Sequence, residues 1–114
     1  MISKAHRFHG YGSLKFVYKH GRVVRGPMCA IKYHKNPKRT TYRLAVVVSK
    51  KVNKSAVVRN RIRRRVFEVV RHYEDRVKHP YDIAIMVYSE NVATMPHEEL
   101  DTMLRTQLSQ AGII

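Results

Sequence analysis

At 114 residues and 44% hydrophobic content, the chain can build one folded domain with a single modest core, and is not a solvated basic tail. No apolar run reaches the roughly 18 residues that a membrane span needs, the opening MISKAHRFHGYG lacks the apolar segment of a secretory signal, and the lone Cys29 permits no internal disulfide, in keeping with a cytoplasmic setting. The formal net charge of +15 is lopsided: the first acid is Glu68, 19 of the 23 Lys and Arg precede it, and all eight acids lie from there onward.

Residues 1–12, with Gly10 and Gly12, read as an N-terminal arm on a single domain spanning 1–114. SLKFVYKH (13–20) predicts a short helix with Ser13 as N-cap and Gly21 as its stop. PMCAIKYH (27–34) reads as a strand and NPKRTT (36–41) as a loop around Pro37. YRLAVVVS (42–49), rich in β-branched residues, is a second strand. A long helix follows, with Asn53 and Ser55 as turn and cap residues before it. PYDIAIMVYS (80–89) predicts a third strand. Pro96 then opens a last helix, in which Leu100, Met103, Leu104 and Leu108 recur at helical spacing before Gly112. The order helix-strand-strand-helix-strand-helix predicts an α+β domain in which helices pack on a small sheet.

The charge asymmetry points to a polyanionic partner held by the N-terminal part. Its focus is VVRNRIRRRVFEVV (57–70), with five arginines in seven positions. On a helical wheel, Val58, Ile62, Val66, Val69, Val70 and Tyr73 share an arc of roughly 120°. Asn60, Arg61, Arg63, Arg64, Arg65 and Arg71 occupy the remainder. Such a helix docks on a sheet while presenting guanidinium groups, whose planar forks match phosphate oxygens. An Arg64–Glu68 surface pair is expected at this spacing, yet one acid cannot neutralise six arginines. Asn60 either bonds a base or 2′-hydroxyl, or satisfies itself on water or its own backbone. Phe67 lies off the apolar arc and is either covered by a neighbouring segment, the favoured outcome, or a stacking platform. Upstream, Lys50, Lys51 and Lys54 extend the basic surface toward a helix start whose free N–H groups favour phosphate.

VSKKVNKSAVVRNRIRRRV resembles the signature of the bacterial ribonuclease P protein family, through Ser49, Lys50, Lys51, Val52, Val58, Arg59, Asn60, Arg61, Ile62, Arg63 and Arg64. RFHGYGSLKFVYKHG (7–21) and DIAIMV (82–87) extend the likeness to most of the chain. The resemblance implies a two-layer α+β sandwich with a left-handed crossover between parallel strands. It implies a protein subunit of a ribonucleoprotein endonuclease, bound to ribonuclease P RNA and to the 5′ leader of precursor tRNA, with no obligate protein partner and no membrane. Catalysis, with Mg2+, would reside in the RNA subunit and the RNA–protein complex. Carried over, the RNA-binding residues are Lys50, Lys51, Arg59, Asn60, Arg61, Arg63 and Arg64, and the charge pattern itself adds Lys54 and Arg65. A cleft between the first helix and the sheet, lined by Leu14, Tyr18 and Tyr33, would take the leader. The sequence departs from the family at four positions. Asn53 stands where a glycine is usual, Leu14 where an aromatic is common, and Arg65 and Phe67 where a leucine and an arginine are more frequent.

The composition argues against a protein-only nuclease. The acids all lie beyond the basic signature, no catalytic residue is assigned, and the seven histidines show no metal-site spacing. A nuclease using paired histidines, a ribosomal or rRNA-assembly protein, and a DNA-binding architectural protein are the competing classes. The last predicts preference for duplex DNA.

Overall fold

The computed structural model describes residues 11–114, so the expected arm, apart from Tyr11 and Gly12, lies outside the described residues. Helix α1 spans Tyr11–His20. Its described part already starts two residues ahead of the expected cap, so Ser13 lies within the helix. Gly21 ends it: its N–H donates to the Val17 carbonyl at 2.8 Å. A Cβ at Gly21 would lie 2.5 Å from that same oxygen, which only glycine avoids.

A strand absent from the sequence prediction follows, β1 (Arg22–Arg25). Its four residues, RVVR, bury no side chain fully and carry no period-2 signal, so only its partner defines it. The remaining elements match the predicted order. They are β2 (Cys29–Lys35), β3 (Arg43–Val48), α2 (Ala56–His72), β4 (Tyr81–Val87) and α3 (His97–Gln110), with 3₁₀ turns at Glu74–Arg76 and Glu90–Ala93. The sheet order is β1-β2-β4-β3. β1–β2 and β2–β4 are antiparallel, while β3 and β4 are parallel and joined through α2.

Register sorts the sheet into two faces. Cys29 and Ile31, Ile83, Ile85 and Val87, and Leu44, Val46 and Val48 point one way and are buried. Against them pack Ile62, Val66, Val69 and Val70 of α2 and Leu100, Leu104 and Leu108 of α3. This is the expected layer of helices on a sheet, and the apolar arc of α2 falls on the core as its wheel predicts. Phe67 is packed against the same cluster, so it is covered and does not serve as a stacking platform. Helix α1 crosses the opposite face, where Ala30 and Ala84 are small and Val17 is fully buried. No described helix is long and apolar enough to cross a membrane.

Candidate nucleic-acid interface

The approach to α2 is built by side-chain hydrogen bonds. Asn53 Oδ1 accepts from the Ser55 N–H at 2.8 Å, and Ser55 Oγ accepts from the Val58 N–H at 3.4 Å. Ser55 is therefore the N-cap, with extended backbone at φ −76° and ψ 122°. No described residue other than glycine has positive φ, so Asn53 replaces a glycine by bonding the turn and not by entering the left-handed region. Arg59 folds back over this turn, and its Nη1 donates to the carbonyls of Asn53 (3.0 Å) and Lys54 (2.9 Å).

The arginine row divides into two groups. Arg61 and Arg64 are exposed and Arg63 is half-buried; Lys50, Lys51 and Lys54 stand exposed just ahead of them. Asn60, also exposed, accepts a hydrogen bond at Oδ1 from the Arg63 guanidinium one turn on. Arg65 is committed elsewhere. Its guanidinium donates to the carbonyls of Val92 (2.8 Å) and Met95 (2.5 Å), tying α2 to the segment that leads into α3. The expected Arg64–Glu68 pair is replaced by Arg71–Glu68 at 3.2 Å, three residues apart on the helix. Arg59 and Arg65 therefore serve the fold, while Arg61, Arg63, Arg64 and the three lysines form the accessible cationic surface.

A second cationic and aromatic surface lies between α1 and the sheet. Tyr18 is about one-third exposed. Lys32 Nζ lies 5.3 Å from its ring centroid and donates to its carbonyl at 3.1 Å. Leu14, one turn earlier on the same flank, is partly buried. Tyr33 does not share this cleft. It pairs with Ile83 and packs against the main core and Tyr81, on the face opposite α1. Successive strand side chains alternate between faces, so its neighbours Lys32 and His34 are the residues that meet α1. The alternation Cys29-Ile31-Tyr33 against Lys32-His34 is the sequence signal that could have placed them.

The acids are mostly occupied. Asp82 accepts from Arg43 and Asn36, Glu74 from Tyr42, and Asp101 from Tyr73. Burial and then the bond to Glu74 push the Tyr42 phenol well above its usual range, and the bond to Asp101 pushes Tyr73 up. Glu90 departs from expectation: remote in sequence, it reaches the basic signature, accepting from Asn53 Nδ2 at 3.3 Å. Burial raises the Cys29 thiol to about 11, with the Gln107 hydrogen bond acting in the opposite direction, which keeps it a poor nucleophile. Among the described residues no three His, Cys, Asp or Glu side chains come together as a metal site.

A family model described as Ribonuclease P matches residues 2–112. The ribonuclease P protein component of a Pseudanabaena species is 30% identical over 115 residues, covering 100% of this chain and 97% of its own. That of Chloroflexus aurantiacus is 31% identical over 113 residues, covering 99% and 82%. Among solved structures, the Staphylococcus aureus RNase P protein superposes with a TM-score of 0.85 at 24% identity, covering 96% of this chain and 98% of its own. The Thermotoga maritima protein gives 0.79 at 20% identity, covering 91% and 96%. These structures share the mixed four-stranded α+β fold.

Proposed function

The chain belongs to the ribonuclease P protein family, and from that premise we propose that it is the protein subunit of a cytoplasmic ribonucleoprotein that matures the 5′ ends of tRNAs. It docks on ribonuclease P RNA through α2 and the preceding turn, and holds the single-stranded 5′ leader of precursor tRNA beside α1. Catalysis belongs to the RNA subunit.

The observation that carries this reading is the division of labour along α2. Arg59 and Arg65 are bound to carbonyls of the protein itself, yet Arg61, Arg63 and Arg64 still face outward beside Lys50, Lys51 and Lys54. Guanidinium and ammonium groups on one rigid helix and its cap meet the phosphates of a folded RNA without reorganising, and released counterions supply much of the affinity. At α1, Tyr18 offers a ring and Lys32 a charge next to it, a pairing suited to an unpaired base and its phosphate. No step is routed through a protein-bound metal. The protein's contribution to the Mg2+ requirement is to neutralise phosphates near the cleavage junction, which lowers the metal concentration needed for substrate docking.

Reconstitution tests the reading. The purified chain is mixed with bacterial ribonuclease P RNA and labelled precursor tRNA at low Mg2+, and 5′ cleavage is followed. Site-specific cleavage that needs both components supports it. Cleavage by the protein alone would place the chemistry on this chain, and RNA binding with no stimulation would favour a ribosomal role. An unchanged Mg2+ requirement with and without protein would remove the metal-sparing part.

A further inference from the structure

Helix α1 carries more than the Tyr18 flank uses. Val17 points into the sheet and is fully buried. At about 100° per residue, Leu14 and Tyr18 fall on one flank, Phe16 and His20 on the other, and Lys15 and Lys19 on the crest facing away from the sheet. The strands beneath record the same division. Lys32 lies against Tyr18, whereas the ring of His34, two residues along β2, meets Phe16 edge-on at 5.1 Å. The helix therefore crosses the strands, and its flanks look toward opposite ends of the sheet. The Tyr18 flank faces the end where Val48 leads to Lys50 and Lys51; the Phe16 flank faces the end where Arg43 pairs with Asp82.

On the Phe16 side lies a cavity of about 420 Å³, with Arg43, Asp82 and Asn36 at its floor and Phe16, His34 and Lys38 around it. Phe16 is 49% exposed and lies outside the main core cluster. Among the described residues its ring meets two imidazoles, His20 at 4.5 Å and His34 at 5.1 Å. The acid in the cavity, Asp82, is bonded to Arg43 and Asn36. Lys38 on the cavity wall, like Lys15 and Lys19 on the crest, is exposed, and none of the three forms an ion pair among the described residues. An exposed aromatic face ringed by unpaired cations is the arrangement that receives unpaired bases with their phosphates, and a duplex, with its bases stacked inside, cannot use it.

We propose that the leader of the precursor straddles α1. One stretch lies along the Tyr18 flank, the backbone passes over Lys15 and Lys19, and a more distal base enters the Phe16–His34 cavity with its phosphate beside Lys38. This rests on the leader-binding reading and extends it to a second subsite on the far side of the helix.

The test uses the reconstituted holoenzyme and precursor tRNAs carrying a series of leaders from very short to long. Phe16→Ala, and Phe16→Leu to keep the apolar volume, should weaken binding of long-leader precursors on the order of tenfold, as removal of one base–aromatic stack does, and leave short-leader precursors unaffected. Lys15→Ala/Lys19→Ala should weaken the same long-leader precursors and flatten their salt dependence by roughly 0.7 in log–log slope for each phosphate no longer neutralised. Tyr18→Ala should weaken both classes. A Tyr18 effect with no Phe16 effect would overturn the straddle and leave the leader reading intact; no leader dependence in any variant would remove both. A Phe16 effect equal at all leader lengths would assign the cavity to another occupant and also overturn the proposal.

Discussion

Arg43 and Asp82 face each other across the parallel strands β3 and β4 and form a two-pronged ion pair, Nε to Oδ1 and Nη2 to Oδ2, both at 2.8 Å. Both residues are buried, and Asn36 Nδ2 adds a third bond to Asp82 at 3.0 Å. The pair locks the neighbouring strands at the end of the sheet remote from Lys50 and Lys51. Removing one partner leaves a buried charge without its counterpart, so Asp82→Ala should destabilise the protein by about 3–5 kcal/mol. Replacing both, Arg43→Met with Asp82→Leu, should recover most of that loss. Urea unfolding of the two variants against the parent checks it.

The two groups of arginines on α2 should separate experimentally. Arg61→Ala, Arg63→Ala and Arg64→Ala should each weaken binding to ribonuclease P RNA and lower the salt slope by roughly one for each phosphate no longer bound, with little change in stability. Arg65→Ala should instead cost about 1–2 kcal/mol of stability, because the Val92 and Met95 carbonyls lose their donor. Paired filter binding and thermal denaturation distinguish the outcomes. With six to ten phosphates engaged, parent affinity should drop by about 10³–10⁵ between roughly 50 and 200 mM salt.

Ser55→Ala should cost about 1 kcal/mol through loss of the bond to the Val58 N–H, and Ser55→Asp should retain it. If chemical denaturation finds Ser55→Ala neutral, Asn53 and Arg59 hold the turn without the cap.

The two faces of β2 make opposite predictions for adjacent residues. Lys32→Ala should reduce affinity for leader-bearing precursor tRNA with the fold intact. Tyr33→Ala should lower stability by removing packing against the core and Tyr81, without a specific effect on the leader. Comparing precursor with mature tRNA binding, alongside unfolding curves, reads both.

Cys29 supplies a pH signature. Its thiol is raised in the folded chain from the ordinary 9.0 to about 11. Above 9 the unfolded chain therefore releases this proton before the folded one does. The stability that the neutral thiol contributes is complete below that pH and is lost as pH rises toward 11. Cys29→Ala should flatten the decline of stability across this window in pH-dependent unfolding, while the Tyr42 phenol, also raised, keeps part of the alkaline slope.

Much of the architecture was legible before folding. The 3.6-residue repeat of Val58, Ile62, Val66, Val69 and Val70 marks one face of α2 for burial, and the β-branched run 42–49 marks a strand, because both signals come from local spacing. The charge bias and the basic signature likewise depend only on which residues stand next to one another. Together they determined the fold class and pointed to a polyanionic partner. The rest was decided by contacts between residues distant in the chain. β1 exists because β2 pairs with it. Arg65 is withdrawn from the cationic row because the turn at 90–95 brings carbonyls within reach of its guanidinium. Glu90 reaches Asn53, and Tyr33 gives way to Lys32 in the cleft, because sheet order and register set which face each strand residue occupies. Local pattern shows which side chains share a face; only the assembled sheet and its crossing helix decide what that face meets.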